Sequence, residues 1–205
     1  MSMRHVHVVE DEDAIRRSLH MMLRIMGYEP HTHASGAAFL GEVAHLPSGC
    51  VLLDIRMPEM DGLEVQRRLV AEGSSQPIVM MSGHGDLAIA AAAMEQGAVA
   101  FLEKPFPRAT LERALQIAFL RLEDAEGYGR YLEDAAAAVR QLDPTDKHVM
   151  SLMARGLDAE SIARQTGRPQ AAIEVSRSRI FADLSVDSTT EVLRIALASA
   201  RAGAP

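Results

Sequence analysis

Four polar positions stand out because each follows directly on an apolar run. Glu10, Asp11, Glu12 and Asp13 crowd together after "VHVV", Asp54 closes "CVLLD", Ser82 closes "PIVMMS" and Lys104 follows "AVAFLE". Carboxylates gathered into one crevice cannot all stay ionised without compensation, because close like charges raise one another's pKa and destabilise the fold. A hard divalent cation relieves that repulsion. Oxygen ligands completed by water suit Mg2+ better than zinc, for which the usual His and Cys ligands are missing. Such an ion also neutralises an incoming phosphoryl group. An Asp at a strand end can then act as nucleophile toward phosphorus, with Lys104 balancing charge on the equatorial oxygens and Ser82 donating a hydrogen bond.

These residues act together only if the elements bring them together. "RHVHVV" alternates and then turns apolar, as a strand entering a core does. Ile15, Leu19, Met22, Leu23 and Met26 recur at helical spacing, and Gly27 follows as a C-terminal stop. The same grammar repeats, with strands expected at 50–54, 77–82 and 98–103 and a weaker one near 29–33. Helices are expected near 35–45, 63–72, 87–96 and 108–123. Five strands alternating with five helices predict an α/β fold, a doubly wound parallel sheet covered on both faces. Ligands of such sheets bind outside the carboxyl ends of the strands, so the four polar groups should share one crevice.

Composition sets the outer bounds. A chain of 205 residues, 48% of them hydrophobic, can form one ordinary domain and a smaller one. The single cysteine, Cys50, rules out an internal disulfide and is read as a small buried hydrophobe, which fits a reducing cytoplasm. The N-terminus lacks an apolar run with a small-residue cleavage site, and no stretch of eighteen apolar residues passes without a charge. A soluble, unexported chain without membrane contact is expected. Net charge is −7, with 13 Lys+Arg against 20 Asp+Glu in residues 1–142 and 8 of each in 143–205. Nothing in that balance announces nucleic acid by itself. His5 and His7, like His31 and His33, share a strand face; with no further ligand evident they are read as structural. His84, in the loop after Ser82, is as well suited to bracing that loop as to phosphate chemistry. The twelve methionines are core filler.

Beyond residue 123, "EDAEGYGRY" interrupts the apolar pattern with two glycines, and "YLEDAAAAVRQL" resumes it, so 124–142 is read as a partly helical linker. Asp143 can cap a helix with Pro144 at its first position. Helices are expected near 144–155, 158–166, 170–184 and 189–200, the last opened by the capping box "STTE". Residues 143–205 thus read as a small all-α domain.

"VVEDED", "LLDIRMPEMDG", "MMSGHGD" and "AFLEKPF" resemble, in order, the motifs of the receiver domain of two-component response regulators, specifically the FixJ-type branch. The resemblance covers about 120 residues and implies a flavodoxin-like receiver over 1–123. It implies that Asp54 is the phosphoacceptor, charged by a cognate sensor histidine kinase. It further implies that Asp11 and Asp54 ligate Mg2+ together with the backbone carbonyl of Arg56, and that Glu10 occupies the other acidic-pair position, where the family usually has Asp. Ser82 would be the hydroxyl that shifts toward the phosphoryl group, Phe101 the aromatic that follows the shift, and Lys104 the phosphoryl-binding lysine, preceding Pro105 in what is often a cis bond. Such a receiver is not an enzyme beyond assisting its own phosphorylation and dephosphorylation. A haloacid-dehalogenase-like phosphatase would need a second acid two residues after the nucleophile, where Arg56 stands.

The helix, the short turn "GRP" and the following helix are the arrangement of a helix-turn-helix. Residues 142–197 resemble the LuxR-type DNA-binding domain, chiefly through Val149, Gly156, Ile162, Ala163, Ile173, Val175, Ile180 and Leu184. The polar positions depart from that family at Ala159, Glu160, Ala172, Ser176 and Asp183, and two of these put acid where a cation would face phosphate. Arg168, Gln170, Arg177 and Arg179 remain as candidate DNA contacts. The expectation is a phosphorylation-activated transcriptional regulator that dimerises when phosphorylated. The alternative is a phosphate-gated interaction or dimerisation module whose divergent helix-turn-helix does not read DNA specifically.

Overall fold

The computed structural model describes residues 3–83, 87–186 and 188–202. His84, singled out above, lies outside the described residues. Two compact units result: Met1–His84 with Gln96–Ala125, and Gly85–Glu95 with Glu126–Pro205.

The first unit is built on a five-stranded sheet of β1 (His5–Val9), β2 (Glu29–His33), β3 (Gly49–Asp54), β4 (Ile78–Ser82) and β5 (Ala100–Glu103). The strand order is β2-β1-β3-β4-β5 and every pairing is parallel. Between the strands run α1 (Asp13–Ile25), α2 (Gly36–Glu42, extended by a 3-10 turn over Val43–His45) and α3 (Gly62–Ala71), and α5 (Arg108–Glu123) follows β5; α4 (Leu87–Glu95) lies between β4 and β5 in the chain but groups with the second unit. The doubly wound α/β sheet is therefore present. Alternation along the central strands divides their side chains. Val6, Val8, Cys50, Leu52, Val79, Met81 and Leu102 pack with Leu19, Leu23, Leu111, Leu115 and Phe119 in one core. Cys50 is fully buried there and burial pushes its thiol pKa well up, as a small hydrophobe requires.

Helix starts follow local chemistry. Ser35 accepts from the Ala38 N–H, and Asp61 from the Glu64 N–H. Gly62 opens α3 because no side chain fits: a Cβ there would stand 2.2 Å from the carbonyl oxygen of Asp54.

The second unit is helical: α4 together with α6 (Ala125–Gln141), α7 (Pro144–Met153), α8 (Ala159–Thr166), α9 (Gln170–Asp183) and α10 (Thr189–Ala202). Within it α4 meets α10, and Arg201 Nη2 donates to the Met94 carbonyl at 2.6 Å. Val149, Leu152, Met153, Ile162, Ile173, Ile180, Val192 and Ile195 form its core. Asp143 and Asp158 cap α7 and α8, Gly167 ends α8 in the left-handed conformation, and Ser188 accepts from the Glu191 N–H. In the glycine-bearing "EDAEGYGRY" the break falls at Asp124, between α5 and α6, and both glycines lie inside α6, which runs unbroken from Ala125 to Gln141. Gly127 is buried and Tyr128 stacks on Tyr131 with ring centroids 5.8 Å apart, contacts that offset the roughly 1 kcal/mol that each helical glycine costs. No described helix is long and apolar enough to cross a membrane.

Candidate functional site

Two strand ends deliver the acids. β1 stops at Val9, so Glu10 and Asp11 sit just beyond it, while Asp54 is the last residue of β3. The side-chain oxygens of Glu10, Asp11 and Asp54 can all lie within 4.8 Å of one another. Glu10 is fully buried, Asp54 is 3% exposed, and Asp11 is half-buried. Burial raises the pKa of Glu10 and of Asp54, and each is raised further by a neighbouring acid.

Lys104 supplies the counter-charge. Its Nζ lies 2.7 Å from Glu10 Oε2 and 2.7 Å from Asp54 Oδ1, with the side chain 15% exposed. Burial works to lower its pKa and is the largest single effect, but the two carboxylates together outweigh it and hold the ammonium above its ordinary value. The lysine reaches this point because β5 ends at Glu103 and the Lys104 N–H donates to the Ser82 carbonyl at 2.7 Å. The Lys104–Pro105 bond is cis. Ser82 is buried at the end of β4, beside Glu103 in register. Phe101, 5% exposed, is paired with Met80 and so stands on the same sheet face as Ser82. Arg56, exposed, lines with Asp54 and Lys104 a cleft of about 640 Å³ whose apolar wall is Ile15, Leu19, Met22 and Phe106.

The four acids of the opening run separate in role. Glu10 is spoken for on both oxygens, by Lys104 and by the Glu12 N–H at 3.3 Å. Glu12 is exposed, and Asp13 is the first residue of α1, paired with Arg16 and Arg17. Arg16 went unnoticed in the sequence. Its Nη1 donates to the carbonyls of Glu10 (2.8 Å) and Asp11 (3.0 Å), bracing the acid loop from one helical turn away. A basic residue spaced to fold back over an acidic strand end was the available signal.

The donor set fits a hard cation. Three carboxylates, two of them nearly or fully buried, face one lysine, a net negative cluster of oxygens with no nitrogen or sulfur ligand among the described residues. Mg2+ would be held by Asp11 and Asp54, with Glu10 acting directly or through water.

In the second unit the candidate DNA contacts divide. Arg168 and Gln170 are exposed at the turn and at the start of α9. Arg177 is drawn to Glu174 and to Thr189 Oγ1. Arg179 grips Asp146 with two 2.8 Å bonds, and its guanidinium holds that buried carboxyl below the usual range. Ser176 is fully buried and also bonds Asp146.

A parallel sheet in the order 2-1-3-4-5 with acids, a hydroxyl and a lysine at its carboxyl edge defines a receiver domain. Residues 6–116 match the response regulator receiver domain, and the chain belongs to the response regulator family. Along nearly its whole length it is similar to the transcriptional regulatory protein FixJ of Bradyrhizobium diazoefficiens, 37% identical over 193 residues, 94% of each chain. It is 32% identical to the tetrathionate response regulatory protein TtrR of Salmonella typhimurium, over 92% of this chain and 90% of that one. The crystal structure of full-length FixJ from B. japonicum is similar with a TM-score of 0.59 at 35% identity, over 98% of this chain and 99% of that one.

Proposed function

We propose that this chain is a two-component regulator of transcription that accepts a phosphoryl group on Asp54 from a histidine kinase, with Mg2+ bound, and passes the signal to a DNA-binding helical unit. The observation that carries the reading is Lys104 bridging Glu10 and Asp54 at 2.7 Å inside a buried cluster of acids. When bound, Mg2+ supplies charge neutralisation for the phosphoryl oxygens.

The residues do the rest. An Asp54 oxygen forms the bond to phosphorus while the phosphorus–nitrogen bond of the donor histidine breaks and its electron pair returns to the imidazole. Burial strips water from the Asp54 carboxylate, and Lys104 holds it in line. Once the aspartate carries the phosphoryl group as an acyl phosphate, Lys104 exchanges a carboxylate partner for phosphoryl oxygens and the Ser82 hydroxyl donates to the same group. Phe101, on that sheet face, follows Ser82. The apolar wall of Ile15, Met22 and Phe106 beside Asp54 offers the kinase a docking surface next to the reacting atom. The regulator turns over no substrate but its own aspartyl phosphate, and it works in the cytoplasm, where kinase and DNA meet. Phosphorylation favours a homodimer, and Arg168 and Gln170 lead α9 onto DNA.

Incubation with Mg2+ and a small-molecule phosphodonor, followed by peptide mass spectrometry, tests the first step. The adduct is expected on Asp54, absent from Asp54→Asn and absent after chelation; label elsewhere, or an unchanged yield in the variant, overturns the reading.

A further inference from the structure

Phosphoryl chemistry makes no use of the four histidines on β1 and β2. His5 and His7 alternate along β1, and His31 and His33 along β2, in a parallel register that sets His7 beside His31. His5 Nδ1 lies 3.0 Å from His31 Nε2. Deeper in, fully buried His7 donates its Nε2–H to the Pro47 carbonyl at 2.9 Å, and because a carbonyl only accepts, its Nδ1 keeps a bare lone pair. Neither His7 Nδ1 nor His33 Nε2 has a hydrogen-bond partner among the described residues. This face therefore presents more nitrogen lone pairs than donors to meet them.

We propose that His5 and His31 form a binding site for a borderline divalent transition-metal ion, Cu2+, Ni2+ or Zn2+, separate from the acidic pocket. Imidazole nitrogens bind such ions at about 2.0–2.1 Å, and two of them stand about 3 Å apart when they subtend roughly a right angle at the ion. That separation is already present. Both rings are half-buried on the sheet face next to edge strand β2, so an ion reaches them from solvent. Glu29 faces His5 directly in register and acts electrostatically on His31; its carboxylate now meets Arg24, and a side-chain rotation turns it to the ion as an oxygen ligand. Water completes the sphere, since no third His or acid ligand atom now lies within 4.8 Å of both nitrogens among the described residues. His7 beneath stays neutral at pH 7 and adds no positive charge to oppose the ion. The competing account is an N–H···N hydrogen bond between two neutral rings, which binds no ion.

Cu2+ is the probe, added to the full chain at one equivalent in excess Mg2+, which occupies the acidic pocket. Electron paramagnetic resonance is expected to show coupling to two imidazole nitrogens. His5→Gln and His31→Gln should each remove one coupling and weaken binding about tenfold or more. In the unaltered protein, the ion should protect His5 and His31 from carbethoxylation by diethyl pyrocarbonate, a readout that does not depend on how the variants fold. An oxygen-only spectrum, binding unchanged in both variants, or no protection overturns the site. None of these outcomes bears on phosphorylation at Asp54.

Discussion

Lys104 is the residue on which the electrostatics of the pocket turn. It neutralises two buried carboxylates, but its charge also opposes any cation that enters. Lys104→Gln should therefore bind Mg2+ several-fold more tightly in calorimetric titration while transmitting phosphorylation poorly to the helical unit; weaker Mg2+ binding would contradict this balance. His7 makes a pH prediction. Burial lowers its pKa from 6.5 to about 4, and His31 and His33 shift the same way. Between those values the unfolded chain binds the proton that the folded one refuses, so the stability is complete above pH 6.5 and is lost as pH falls toward 4. The contribution from His7 is about 3 kcal/mol. Urea unfolding in chelator at neutral pH and near pH 4.5 should show a gap that narrows in His7→Gln. The acid run, Asp54, Ser82 and Lys104 were legible from types and strand ends. The Arg16 brace was not, because a helical period does not say which way a guanidinium folds.

Elements decide how these residues are held. At the β3–α3 junction the Gly62 N–H donates to the Ile55 carbonyl at 2.9 Å, and there is no room for a side chain against the Asp54 carbonyl. Gly62→Ala must displace the loop that carries Asp54; a loss of about 1–3 kcal/mol in thermal or urea unfolding is expected, along with slower phosphorylation. α9 makes the opposite point about a charge that looked functional. The sequence offered Arg179 as a DNA contact, while its guanidinium ties α9 to buried Asp146 on α7. Arg179 is half exposed, so solvent screening limits what the pair contributes to stability. Arg179→Ala should lower the melting temperature of the helical unit, whereas Arg168→Ala should leave it unchanged and reduce the salt slope of DNA binding by about one. A helix net cannot tell these arginines apart, because the partner acid lies 33 residues away in the chain.

For the whole molecule, charge distribution limits what DNA binding can be. Residues 143–205 are neutral overall and 1–142 are acidic, so attraction must come from a local cluster and not from the net field. Binding measured by fluorescence anisotropy across a salt series should give a shallow log–log slope of about −2 per protomer, and a slope near zero would mean that phosphates are not contacted. The element order, the strand-end acids and the division into an α/β part and a helical part were determined by the sequence alone, because periodicity and turn residues act locally and the ends of parallel strands must share an edge. Tertiary structure alone decided that α6 runs through its glycines, that α4 groups with α10 and that Arg179 pairs with Asp146. It also decided that four histidines gather on one face with two bare nitrogens. Each of these depends on which residues distant in the chain come within a few ångströms, and local pattern carries no information about that distance.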